Sequence, residues 1–237
     1  MVTRLTPAKL VLFDIDGTIL LTSGAGRRAM IAALSEEVDL GDYSSRIRFD
    51  GKTDPQIITE LLAAAGETVP PAPELITRIC ERYVELLSGE LARPTTRTTV
   101  MPGITRLLDR LETEQGIVLG LLTGNVAGGA SLKLQSAGIA PERFRVGAFG
   151  SDSAHRPDLP PIAVERATRF FGRGLAGDEV VIIGDTPADI ACGECINARA
   201  VAVATGGYSV PDLQACHPHA VFEDLSDTER VVASILD

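Results

Sequence analysis

The 237-residue chain carries 32 acidic against 22 basic residues, a net charge of −10, and hydrophobic residues make up 45% of it. That composition supplies a packed core and a global field that repels nucleic acid and anionic membranes, so neither is expected as a partner, and an anionic substrate would need a local positive site, most readily a bound cation. No apolar run reaches the roughly 18 residues of a membrane span, and the N-terminus lacks the regions of a signal peptide, so a cytoplasmic protein is expected. The length suits one large domain or a domain carrying a smaller inserted one.

In chain order, the apolar run Leu10–Ile15 reads as a strand buried on both faces. It leads into Asp14, Asp16, Gly17 and Thr18. Residues two apart on a strand share a face, so Asp14 and Asp16 are expected to aim together at the carboxyl edge of a sheet. Two carboxylates about 4 Å apart repel by roughly 4 kcal/mol at an effective dielectric near 20, so the pair calls for a compensating cation or proton.

The next stretch is helical: Gly26–Glu36, Pro55–Ala65 and Pro73–Ala92 have helical spacing with no convincing strand between them. Thr22-Ser23-Gly24 and Arg93-Pro94-Thr95-Thr96 border it like linkers. Residues 20–97 therefore read as a helical insertion into an α/β core made of 1–19 and 98–237. Within the insertion, Asp54-Pro55 reads first as a helix start. Lys52, one of only three lysines, sits in a loop that could close over a site and touch the remote part of a substrate.

From Gly103 the alternation resumes. Helices are expected over Gly103–Glu112, Val126–Ser136, Pro161–Phe171 and Pro187–Cys195, and strands over Ile117–Leu122, Val146–Phe149, Glu179–Ile183 and Ala200–Ala204. This is the pattern of a Rossmann-like parallel sheet flanked by helices. The second strand ends in Thr123-Gly124-Asn125 before a helix, a natural phosphate seat. The strand ending at Ile183 runs into Gly184-Asp185-Thr186-Pro187-Ala188-Asp189 and brings a third carboxylate to the same edge. Three carboxylates beside a phosphate seat describe a hard-cation site for phosphoryl chemistry.

Competing readings are weaker. Cys192 and Cys195 have CxxC spacing, with Cys216, His217 and His219 later, but a single pair without a second ordered pair reads as small residues on a helix plus a turn. Asp14–Gly17 lacks the acidic residue two places earlier and the helix that half a calcium loop would need. Asp189 fits equally an acid reciprocating an N-cap threonine, Thr186, and a group standing behind metal ligands.

DIDGT at Asp14–Thr18, LLTGN at Leu121–Asn125 and IGDTPADI at Ile183–Ile190 resemble, in order and spacing, three of the four signature motifs of the haloacid dehalogenase superfamily. The resemblance implies a cap domain in the helical insertion and assigns roles. Asp14 is the nucleophile, ionised at neutral pH without help. Asp16 protonates the leaving alkoxide and later activates water. Asp14, the main-chain carbonyl of Asp16 and Asp185 hold magnesium, and Thr123 binds a phosphate oxygen. The fourth motif normally supplies a lysine before a proline. Here Ser151–Pro157 contains none, and Arg156 is the substitute. The leading expectation is a magnesium-dependent phosphatase acting on a small phosphorylated metabolite, resembling the phosphoglycolate phosphatase branch. A phosphosugar mutase shares every core motif, a non-catalytic phospho-ligand binding protein is a third reading, and Asp16 speaks against a dehalogenase.

Overall fold

The structure, a computed structural model, describes residues 9–42 and 47–237. The N-terminal stretch behind the cytoplasmic expectation lies, up to residue 8, outside them. Strand β1 (Lys9–Phe13) is buried along its whole length and occupies the middle of a parallel sheet. On one side it pairs with β4 (Ile117–Thr123), which pairs with β5 (Val146–Phe149). On the other it pairs with β6 (Val180–Gly184), followed by β7 (Arg199–Val203) and β8 (Ala220–Phe222), giving the order β5-β4-β1-β6-β7-β8.

The continuous apolar run of β1 is explained by the two layers that cover it. Val11 and Phe13 face Leu119, Leu121 and Ile183 under helices α4 (Ile104–Glu112) and α9 (Thr228–Leu236). Leu10 and Leu12 face the opposite layer, with Val146, Ile182 and Ala163 of helix α6 (Leu159–Phe171). Each such side chain contributes about 1.5–3 kcal/mol when fully buried. Helices α5 (Ala127–Ser136), α7 (Pro187–Cys192) and the short α8 (Val210–Gln214) complete the crossovers.

Between β1 and α4 the chain leaves the sheet. It departs through β2 (Leu20–Leu21) and returns through β3 (Thr99–Val100), which pair antiparallel with Leu20 opposite Val100. Helices α1 (Ala25–Ser35), α2 (Asp54–Ala64) and α3 (Pro73–Leu91) lie between these crossings and share an apolar core of Met30, Leu34, Ile58, Leu61, Tyr83 and Leu87. Among the described residues, no helix is long and apolar enough to cross a membrane.

The structure departs from expectation in small ways. Strands β2, β3 and β8 have two or three residues each, too short to leave a periodicity. Helix α6 begins at Leu159 because a 3₁₀ turn over Arg156–Asp158 runs straight into it. Helix α7 stops at Cys192, and a 3₁₀ turn over Glu194–Ile196 follows, so the CxxC pair straddles a break with Cys192 buried and Cys195 exposed.

Candidate functional site

The register places three chain reversals at one edge: Phe13 lies opposite Leu121 and Ile183, so the residues after β1, β4 and β6 emerge together. In open parallel sheets ligands bind outside these carboxyl ends, where successive crossovers diverge. Strand β1 ends one residue before Asp14, so Asp14 and Asp16 stand in the turn beyond it. The two carboxylates turn to different partners.

Asp14 is only 6% exposed, and its main-chain N–H donates to Ile183 O at 2.9 Å. Asp185 lies beside it, accepting from the Thr18 hydroxyl at 2.9 Å. Gly17, at φ +88°, could carry no side chain here, because a Cβ would fall 2.3 Å from an Asp185 oxygen. Carboxylate oxygens of Asp14, Asp185 and Asp189 lie within 4.8 Å of one another. Burial, then the Asp189 charge, pushes the Asp14 carboxyl up to about 7 against the opposing pull of Arg156. Burial, then Asp189 and Asp14, pushes Asp185 up to about 9. An all-oxygen, buried and charge-crowded set fits a hard divalent cation, which would relieve that crowding.

Asp189 turns out to serve two ends. Its Oδ2 accepts from the Thr186 amide at 3.0 Å and hydroxyl at 2.7 Å, closing the expected capping box of α7. Its Oδ1 accepts from Arg156. That arginine is 5% exposed, lies 3.3 Å from Asp14 Oδ1, and leaves its Nε without a hydrogen-bond partner. Arg156 therefore reaches the carboxylates directly from the loop after β5, while its neighbour His155 is exposed and contacts Asp158.

Thr123 is fully buried at the end of β4. Its Oγ1 accepts from the amide and from Nδ2 of Asn125, at 3.3 and 2.8 Å. The Asn125 carboxamide is engaged at both ends: Nδ2 also donates to Asp16 Oδ2 at 2.8 Å, and Oδ1 accepts from Lys133 Nζ at 2.6 Å. Lys133 in turn donates to Asp16 Oδ2 at 2.6 Å. This lysine was not anticipated, since 117 positions separate it from Asp16. The available signal was a cation on the buried face of α5, next to Ala130 and Leu134.

The inserted helices meet this edge through a short clip. The Asp54 amide donates to Gly124 O at 2.7 Å, and the Thr53 hydroxyl to Ala154 O at 2.7 Å. Gly124 must be glycine for this approach, since a Cβ there would lie 2.0 Å from Lys52 O. Asp54 does open α2, but its carboxylate accepts from Val126 N at 2.8 Å, at the start of α5 in the sheet layer. Burial pushes that carboxyl up to about 6, against Lys133 and the Val126 hydrogen bond. Lys52 lines a cavity over the site, and its ammonium is held by Glu60. That cavity, about 250 Å³, is lined by Asp14, Asp16, Thr123, Arg156 and Asp185 below and by Arg27 and Lys52 of the inserted segment above.

Comparison with known proteins identifies relatives of the whole chain. The model of a family described as haloacid dehalogenase-like hydrolase matches residues 11–194. The chain is 31% identical over 226 residues to a phosphoglycolate phosphatase of Cereibacter sphaeroides, covering 93% of this chain and 97% of that protein. It is 28% identical over 221 residues to a phosphoglycolate phosphatase of Rhodospirillum rubrum, covering 92% and 88%. The fold matches that of CbbY from Rhodobacter sphaeroides in complex with phosphate at a TM-score of 0.72, with 18% identity and 93% and 96% coverage.

Proposed function

The chain belongs to the haloacid dehalogenase-like hydrolases, and from that premise we propose that it is a magnesium-dependent phosphatase hydrolysing a small phosphorylated metabolite of the phosphoglycolate type through an aspartyl phosphate. The observation that carries this reading is the convergence of Asp14, Asp16, Thr123 and Arg156 on one cavity. Its volume, about 250 Å³, suits a phosphoryl group bearing few carbons, and the named relatives support the phosphoglycolate class.

In this mechanism an Asp14 oxygen attacks phosphorus as the bond to the leaving alkoxide breaks, and Asp16 gives the alkoxide oxygen its proton. Asp16 then takes a proton from the water that attacks the aspartyl phosphate, and inorganic phosphate leaves with Asp14 restored. Thr123, Gly124 and Arg156 hold the phosphoryl oxygens, and Asn125 acts mainly by fixing Thr123 and Asp16. Asp14, Asp185 and the main-chain carbonyl of Asp16 would hold magnesium, with Asp189 behind them, and its charge would stabilise the transferring phosphoryl group. Residues 20–97 act as the cap, with Lys52 and Arg27 on the wall that meets the substrate's far end.

The test is release of free phosphate across a panel of phosphorylated metabolites that includes phosphoglycolate, with magnesium and with chelator. Magnesium-dependent phosphate release from a small acid phosphate is expected. Formation of an isomer without free phosphate, or no turnover of any ester, would overturn the reading.

A further inference from the structure

We propose that Lys133 is a positioning residue that decides which oxygen of Asp16 carries the catalytic proton. The inference rests on the phosphatase reading above and adds to it a residue outside the family's motifs present here. Lys133 is 4% exposed although it is a lysine, so burial of its ammonium has to be matched by partners. Those partners are Asp16 Oδ2 and Asn125 Oδ1, each at 2.6 Å. Asn125 Nδ2 reaches the same Asp16 oxygen at 2.8 Å. An oxygen that already accepts from two N–H donors has no room for a proton of its own, so a protonated Asp16 carries it on Oδ1. When the bond from phosphorus to the leaving oxygen breaks, that proton passes from Oδ1 to the alkoxide, and the carboxylate left behind remains held at Oδ2 by the ammonium.

The cap contributes to this arrangement. A Cβ on Gly26 of α1 would sit 3.2 Å from Lys133 Nζ, so only a glycine lets the α1 backbone come this close to the ammonium. The Lys133 ammonium is thus buried beneath the inserted helices, while the Asp16 side chain, 40% exposed, faces the cavity in which the leaving oxygen would sit.

A positioning role for proton donation separates from a structural one through the leaving group. A phosphate ester of a simple uncharged alcohol expels a poor alkoxide leaving group and needs the proton, whereas p-nitrophenyl phosphate expels a stable phenolate and does not. We expect Lys133→Met to lower kcat/KM for the alkyl ester by about 100-fold, the scale of general acid catalysis, and for the nitrophenyl ester by only a few-fold. Equal losses on both esters would overturn the proposal, as would a loss confined to esters carrying a second anionic group, which would make Lys133 a substrate contact. If Lys133→Met loses its cooperative unfolding transition, Lys133→Gln replaces it under the same criterion. Absence of phosphatase activity in the wild-type protein would instead refute the parent reading.

Discussion

In the proposed mechanism Asp14 attacks phosphorus as an anion, yet burial pushes its carboxyl up to about 7 and that of Asp185 up to about 9 when no cation is near. Both values lie above the ordinary 3.8, so the folded, cation-free protein binds more protons than the unfolded chain, and these groups cost stability as pH rises from about 4 towards 9. A bound cation favours the ionised forms. Magnesium uptake should therefore release protons, and the rise in Tm on adding magnesium should grow between pH 6 and pH 9. Calorimetry in two buffers of different ionisation enthalpy, with thermal melts across that range, checks both, and a pH-independent shift would contradict the assignment of these carboxylates. Arg156 poses the complementary case, a buried cation against Asp14 and Asp189. Removing one side of a buried ion pair costs about 3–5 kcal/mol, so Arg156→Ala should lower Tm as well as raise KM and lower kcat. Arg156→Lys should recover part of the activity, because the charge returns without the two-pronged geometry. Unchanged steady-state kinetics in the alanine variant would remove Arg156 from the phosphate site.

Among the elements, helix α7 offers a clean measurement, since Thr186 caps it through Asp189 and the same aspartate anchors Arg156. Thr186→Ala should cost about 0.5–2 kcal/mol, and at roughly 2–4 °C per kcal/mol for a chain of this size the loss is visible in a thermal melt. The same variant should weaken turnover, because freeing Asp189 loosens Arg156, whereas a melt shift with unaltered kinetics would confine Thr186 to the cap. This helix was readable in advance because its start is written locally, in Thr186, Pro187 and Asp189. The strands β1 and β4 to β7 were readable for a different reason: covered on both faces, each is a continuous apolar run bounded by polar turns. What stayed hidden depends on pairing across the chain. Strands β2 and β3 exist only because Leu20 meets Val100, and β8 only because β7 supplies a partner. Helix α9 carries an apolar stripe, Val231, Val232 and Ile235, but it follows the last strand and so falls outside the strand–helix alternation. Lys133 was hidden in the same sense, since its meaning lies in Asp16 and Asn125, and the local pattern offers only a charge in an apolar stripe. Asp54 was legible as a helix start but not as the acceptor for a different helix.

For the whole molecule, the clip formed by Thr53 and Asp54 joins the inserted helices to the loops after β4 and β5. Asp54→Ala leaves the Val126 amide without its acceptor and withdraws a contact that the proposed cap makes when seated. The seated form should be less populated and KM for the small metabolite ester should rise several-fold, with faster proteolytic cleavage within residues 20–97. Unaltered KM and cleavage would separate the clip from closure. A different consequence follows from the pairing of β2 with β3. The insertion leaves and re-enters the sheet layer at adjacent points, with Leu20 facing Val100 across one antiparallel rung, a separation of about 5 Å. To the sheet, everything between those two residues is topologically a hairpin loop. Evolution could exchange, lengthen or delete that loop as a cassette without moving Asp14, Thr123 or Asp185, so the chemistry and the choice of substrate can change independently along a lineage.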